Sequence, residues 1–186
     1  MDKLKNYEQL VVSWSKTHNL ISKSQISNIG AHIEDSLSIS GMLRNSIMDV
    51  GSGGGFPGIP LAITNPEKNF YLVESNAKKF SFLLNTTNKL ELHNVKIYNK
   101  RVEALEVGEF PEDLDVVARA LGSTEDIVQL TKAFLDNKNT KLKLMKTEEQ
   151  MLNENLPKGY VVTKKESIYS KEKDKSRILV TIQTES

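Results

Sequence analysis

The chain of 186 residues contains no cysteine, so disulfides, thiolate metal sites and a cysteine nucleophile are all excluded. Its three histidines, His18, His32 and His93, lie far apart without metal-ligand spacing, and no metal is expected. Long hydrophobic runs are missing too. No stretch approaches the roughly 18 consecutive apolar residues of a membrane span, and Met1-Asp2-Lys3-Leu4-Lys5 opens no apolar signal region. The expectation is a cytoplasmic protein with no membrane partner. Charge of one sign is not in excess, because 25 Lys and Arg face 24 Asp and Glu. A net charge of +1 argues against a large nucleic-acid footprint. Local basic clusters remain, at Lys78-Lys79, at Lys96, Lys100 and Arg101, at Lys141, Lys143 and Lys146, and from Lys164 to Arg177. Each taken alone reads as a solvated face. Internal repeats and low-complexity tracts are absent. This length, with 38% hydrophobic residues, suits one packed domain, expected to comprise an N-terminal helical extension over 1–44 and a core over 45–186. A monomer is expected.

Glycine is sparse but concentrated. The run Asp49-Val50-Gly51-Ser52-Gly53-Gly54-Gly55-Phe56-Pro57-Gly58 follows the apolar pair Ile47-Met48 and precedes a helical pattern over 59–63. A strand therefore enters a glycine loop, and the loop enters a helix with Pro57 in its first turn, where a missing N–H costs nothing. A P-loop needs Lys then Ser or Thr after its last glycine, and Phe56-Pro57 stand there instead. A dinucleotide loop, G-x-G-x-x-G, needs glycine at 56. Gly51, Gly53 and Gly55 satisfy G-x-G-x-G, which resembles motif I of Rossmann-like methyltransferases that use S-adenosylmethionine. Glu74 ends the next strand pattern, Phe70 to Val73. An acid about 20 residues beyond the loop is where such folds hold a ribose diol.

Periodicity orders the remainder. Leu4, Tyr7, Leu10, Val11 and Trp14 form a helical stripe, with Tyr7 and Trp14 as core residues. Ser22 and Gln25 have capping-box spacing, and Ile26, Ile29, Ile33 and Leu37 predict a following helix that ends near Gly41. Strands are predicted near 46–50, 70–74, 95–98 and 115–119, with helices near 57–65, 76–90 and 101–107. Ser123 and Asp126 begin another helix. Lysines alternate with leucines over 141–146, which predicts a partly exposed strand. Residues 160–163 and 177–183 form a final antiparallel pair around a charged loop from Lys171 to Lys175. Alternation of this kind implies an α/β fold with a mostly parallel sheet of seven strands. Its ligand edge would gather the glycine loop, Glu74, Arg101 to Glu103, and Arg119.

Several motifs together resemble a known family. In order they are Trp14-Ser15-Lys16 with Asn19-Leu20, His32-Ile33-Glu34-Asp35-Ser36-Leu37, the glycine loop extended through Phe56-Pro57-Gly58-Ile59-Pro60-Leu61, and Val73-Glu74-Ser75 with Lys78-Lys79 and Phe82-Leu83. Asn94-Val95, Arg101-Val102-Glu103 and Ala118-Arg119-Ala120 complete the set. From Trp14 to about Lys146 the chain resembles the bacterial small-subunit ribosomal RNA methyltransferase G family, also called glucose-inhibited division protein B. The resemblance implies a Rossmann-like class I methyltransferase fold. It also implies transfer of a methyl group from S-adenosylmethionine to N7 of a guanine in 16S rRNA, leaving S-adenosylhomocysteine. The RNA partner would be 16S rRNA in the small subunit or in an assembly intermediate. By the same resemblance Gly51 and Phe56 line the cofactor site, Val102 and Glu103 contact its adenine end, and Arg119 reaches it from the fourth strand. Two departures stand out: the turn 136–140 lacks the family's glycine, and Lys146 is followed by Thr147 where the family has glycine.

Guanine N7 has an in-plane lone pair and no proton, so this chemistry needs positioning rather than a base. Gly51, Gly53, Gly55, Phe56, Glu74, Val102, Glu103 and Arg119 are the candidate cofactor residues, and Arg119 and Asp35 the candidate catalytic ones. Arg119 suits a carboxylate or phosphate, with a strand-end salt bridge as the alternative. His32, Asp35 and Ser36 share a helix face and form either a hydrogen-bonded polar cluster or a positioning group. Phe56 packs against the cofactor or staples the next helix. Asp49 orders the loop through backbone N–H groups. Competing functions are a small-molecule methyltransferase and a non-catalytic nucleoside- or RNA-binding protein.

Overall fold

The computed structural model describes residues 2–18, 20–136, 139–169 and 177–185. The Lys171 to Lys175 loop, Asn19 and part of the 136–140 turn lie outside them.

Three helices open the chain: α1 (Lys3–His18), α2 (Lys23–Ser27) and α3 (Ile29–Leu37). The Ser22–Gln25 capping box is present, with the Ser22 side chain accepting from the Gln25 N–H. The single helix predicted after it is instead two, because Asn28 leaves helical geometry at φ −115°, ψ 22°. Gly41 lies in a 3-10 turn, Ser40–Met42, rather than at a helix end.

Strands and helices then alternate: β1 (Ser46–Val50), α4 (Gly58–Thr64), β2 (Asn69–Val73), α5 (Ala77–Lys89), β3 (Val95–Tyr98), β4 (Asp115–Arg119), α6 (Thr124–Leu135), β5 (Lys141–Thr147), α7 (Glu148–Asn153), β6 (Tyr160–Ile168) and β7 (Arg177–Thr184). All seven form one sheet, ordered β3-β2-β1-β4-β5-β7-β6. The first five run parallel, and β7 is antiparallel to both β5 and β6. Strand order reverses between β1 and β4, so the crevice of a doubly wound sheet opens at their carboxyl ends. The helix predicted over 101–107 is instead two 3-10 turns, Val102–Ala104 and Val107–Glu109. Val102 and Leu105 both bury against the α6 side of the sheet, and a spacing of three suits a 3-10 turn.

Strand alternation sorts the side chains. Met48, Val116, Ala118, Leu144 and Val180 face α6, whereas Ile47, Phe70, Val117 and Leu179 face Ile39 and α4. Asp49, Asp115 and Arg119 share the second face by the period of two. A further cluster joins Tyr7, Val11 and Ile33 to Ile59, Leu72 and Phe82, so α1 and α3 close over the sheet beside the glycine loop. Trp14 is half-buried, its ring 5.6 Å from that of Phe82 in an edge contact.

The β5 lysines overturn the expectation of a partly exposed strand. Lys143 and Lys146 are both buried. Lys143 joins Arg44 on the fully buried carboxylate of Asp115, at 3.3 and 2.8 Å. Lys146 lies 2.6 Å from Glu154, which also accepts from the Thr124 N–H and hydroxyl. Thr147, standing where the family has glycine, caps α7 in a box with Gln150.

Candidate active site

The glycine loop is held by its own backbone and by two acids. Gly51 and Ser52 both donate to the Val73 carbonyl at 2.9 and 3.2 Å. Gly53 donates to Glu74 Oε2 at 2.9 Å, and Asn76 to Glu74 Oε1 at 2.8 Å. Asp49 Oδ2 accepts from Gly58 at 3.0 Å, which is the expected loop-ordering role. Below the loop, the buried Tyr7 hydroxyl donates to the Gly54 carbonyl at 2.6 Å. Tyr7 is therefore core as predicted, and also a loop support. Burial pushes its hydroxyl well above the usual value for tyrosine. Burial likewise raises Asp49 to about 7, against the Gly58 hydrogen bond.

Backbone conformation favours glycine at three positions of this loop, since Gly51, Gly53 and Gly55 all have positive φ. A Cβ at Gly51, where φ is +71°, would stand 2.4 Å from Leu121 Cδ1, and one at Gly54 would stand 2.9 Å from Ile21 Cγ2. At Gly53 a Cβ would meet only the Gly51 carbonyl, at 3.7 Å. Gly55 faces the other way, toward Ile59 and the Tyr7 hydroxyl. It lines neither cavity beside the loop, so it packs the loop onto the core instead of joining the groove.

Those two cavities meet at Gly51, Lys79 and Ala120. The larger, about 270 Å³, has Val50, Val73 and Val102 on its apolar side and Glu74, Lys100 and Glu103 among its polar residues. The smaller, about 160 Å³, is bounded by Gly53, Phe56 and Arg119 and covered by Leu20, Ile21, Gln25 and His32. Together they form a bent groove on the scale of a small-molecule site. Ala120 stands at its bend in the left-handed region, φ +53°.

Phe56 is buried, with its ring 5.3 Å from Tyr7 and 6.0 Å from His32. The Arg119 guanidinium lies 5.0 Å from the Phe56 centroid. Arg119 also approaches Asp35 Oδ2 at 3.5 Å, and Arg177 approaches the same oxygen at 3.4 Å. Both are longer than tight charge-assisted bonds. Burial raises the Asp35 carboxyl, while Arg177 and Arg119 pull it down. Burial lowers Arg119 in turn, opposed by Asp35. Asp35 Oδ1 is buried and accepts no hydrogen bond among the described residues. Ser36 turns back on its own helix, donating to the His32 carbonyl at 2.7 Å.

The sheet edge thus gathers Gly51, Gly53, Phe56, Glu74, Val102, Glu103 and Arg119 around one groove, with Asp35 behind Arg119. Sequence reasoning missed Ala120, Leu121, Gln25 and the Arg177–Asp35 contact. Of these, only Ala120 has an unusual backbone conformation, and a strand ending in Arg-Ala carries no signal for it. A nucleoside bearing an amino acid fits the donor set. Each Glu74 oxygen already accepts one N–H and has capacity for a second bond, which suits a ribose diol. The apolar valines suit a flat base, and Arg119 is a cation close enough to the smaller cavity to meet a carboxylate.

Residues 1–180 match the family model for rRNA small subunit methyltransferase G, GidB. A protein of that name from Coxiella burnetii is 43% identical over 124 residues, covering 66% of this chain and 60% of the relative. One from Hydrogenovibrio crunogenus is 38% identical over 155 residues, covering 80% and 70%. The match to the Coxiella relative thus spans less than two thirds of that protein's length. Among solved structures, the magnesium protoporphyrin IX methyltransferase of Synechocystis, with bound S-adenosylmethionine, superposes with a TM-score of 0.62 at 14% identity. That match covers 96% of this chain and 97% of the other. An S-adenosylmethionine-dependent methyltransferase from Aquifex aeolicus gives 0.57 at 14% identity, covering 91% and 97%.

Proposed function

Because the chain belongs to the rRNA small subunit methyltransferase G family and has the Rossmann-like class I methyltransferase fold, we propose that it methylates N7 of a guanine in 16S rRNA. The single observation that carries this reading is the groove that runs from Glu74 past the glycine loop to Arg119 and Phe56. Bound S-adenosylmethionine supplies a methyl carbon on a sulfonium leaving group. No proton has to leave N7, so the protein's task is to hold two partners in line and keep water out. Well-oriented systems reach effective molarities of about 10⁵ M or more.

In this reading Glu74 accepts from the ribose, and Val102 and Glu103 border the base. Gly51 and Gly53 allow close approach, and Phe56 forms an apolar wall. Arg119 meets the cofactor carboxylate with its planar fork. Asp35 acts through Arg119, as a positioning residue whose charge keeps the guanidinium turned along the Phe56 face. A cation beside a base that is becoming positive would oppose transfer, which favours Arg119 at the carboxylate end. The substrate is the small subunit or an assembly intermediate, since a net charge of +1 supplies little long-range attraction to naked RNA.

The test uses tritiated S-adenosylmethionine with small subunits and naked 16S rRNA from cells lacking the enzyme, and maps N7-methylguanine by borohydride and aniline cleavage. One cleaved guanine is expected, with subunits the better substrate. Calorimetric cofactor binding without transfer to either RNA would overturn the assignment in favour of a small-molecule methyltransferase or a non-catalytic binder.

A further inference from the structure

Three cations border one side of the groove, and a fourth, Lys78, is the chain neighbour of one of them. Lys78 and Lys79 lie in the first turn of α5, and Lys100 and Arg101 lie in the loop after β3. Asn99 brings the two segments together, because its side-chain amide donates to the Glu74 and Ser75 carbonyls at 2.8 and 3.2 Å. Lys79 borders both cavities, and Lys100 and Arg101 border the larger one. Among the described residues none of the four makes an ion pair, in contrast to Arg44, Arg119, Lys132, Lys143, Lys146, Lys164 and Arg177.

Two features set this cluster apart from an ordinary solvated face. The first is its cost to the fold. The first turn of α5 contains no acidic residue, and Lys78 and Lys79 place two positive charges at the positive end of the helix. Asn76 accepts the Lys78 and Lys79 N–H groups but cannot neutralise that charge. A local preference is thus broken without any gain within the protein, as is expected at functional or strained positions. The second is chemical. The proposed cofactor contains one carboxylate and no phosphate, and Arg119 already answers the carboxylate. Two acids border the larger cavity beside these four cations: the buried Glu74 and the exposed Glu103. Positive charge therefore remains in excess at the rim.

We propose that Lys78, Lys79, Lys100 and Arg101 form a phosphate-binding rim that holds the RNA backbone beside the target nucleotide. The inference rests on the rRNA methyltransferase reading and adds the strand's path: across the start of α5 and the loop after β3, on the Glu74 side of the groove. Each phosphate neutralised releases counterions, so it contributes about 0.7 to 0.9 to the slope of log affinity against log salt. At about 0.15 M salt this amounts to roughly four- to sixfold per contact.

The experiment compares wild type with the variant Lys78→Ala, Lys79→Ala, Lys100→Ala, Arg101→Ala. A second variant, Lys5→Ala, Lys16→Ala, Lys89→Ala, Lys96→Ala, removes equal charge away from the groove. The readouts are kcat/KM for methyl transfer to small subunits across a KCl series and S-adenosylhomocysteine affinity by calorimetry. The rim variant is expected to flatten the salt slope by up to about three and to lose far more transfer at about 0.15 M salt than it loses product affinity. The second variant keeps the wild-type slope. The pair Lys78→Ala, Lys79→Ala removes a helix-end repulsion, so it should melt no lower than wild type. Equal slopes in all three proteins, or a loss of transfer no greater than the loss of product affinity in the rim variant, would overturn the rim while leaving the enzymatic reading intact. No transfer by wild type would remove that reading and the rim with it.

Discussion

Replacing Asp49 with asparagine should change how stability depends on pH more than it changes stability at any one acidic pH. The Asp49 side chain is buried between the glycine loop and α4, where Oδ2 accepts from Gly58 and Oδ1 has no partner among the described residues. Burial moves its titration from 3.8 in the unfolded chain to about 7 in the fold. Between those values the folded protein holds a proton that the unfolded chain has lost, so stability falls as pH rises through the window. Each pH unit there costs about 1.4 kcal/mol, making the full effect on the order of 4 kcal/mol. Asparagine retains a carbonyl for the Gly58 N–H and has no charge to bury. Urea unfolding of both proteins at pH 4, 5, 6, 7 and 8 should show the closest stabilities at pH 4 and an advantage for Asp49→Asn that grows up to about pH 7 and levels off by pH 8. The comparison cancels groups common to both, including Asp35, whose raised carboxyl acts with the same sign. A wild-type-to-variant difference equal at pH 5 and pH 8 would refute the argument.

Three other outcomes follow from single contacts. Tyr7→Phe removes the 2.6 Å bond to the buried Gly54 carbonyl and should cost about 1–3 kcal/mol in denaturant unfolding, with weaker S-adenosylhomocysteine binding as the loop loosens. Arg119→Lys keeps the charge but loses the planar fork over Phe56. Calorimetry should show product affinity falling ten- to a hundredfold, for a loss of about 1.5–3 kcal/mol, in a protein that still folds. Lys146→Met strands Glu154 beside the start of α6 and should lower unfolding free energy by about 2–3 kcal/mol, less than for a fully buried pair because Glu154 retains water contact. In the wild type burial raises Glu154, but the Lys146 and Thr124 hydrogen bonds outweigh it and hold the carboxyl below its usual range. The stability this group contributes is present at neutral pH and is lost as pH falls through that lowered value, so the Lys146→Met deficit should shrink in acid.

Wherever physics is local, the sequence was readable. The positions of β1, β3 and β4, the glycine loop between β1 and α4, and the capping boxes at Ser22 and Ser123 follow from period, steric freedom and hydrogen bonds spanning three residues. Glu74 was legible as a ligand-edge acid because strand length and crossover spacing put it there. Tertiary contacts decided the rest. Lysines alternating with leucines along β5 have the pattern of a half-exposed strand, yet Asp115 and Glu154, the acids that pair with the buried Lys143 and Lys146, come from other elements. Nothing near Gly55 in sequence shows that Tyr7 and Ile59 occupy the space beside it, so only packing separates it from the glycines of the groove. Asp35 meets Arg119 and Arg177 across separations of 84 and 142 residues, and that geometry exists only once α3 closes over the end of β4. Local residue pattern set the elements and the chemistry they offer; long-range packing, which no short window of sequence contains, chose which charges are buried, which are paired and which face the groove.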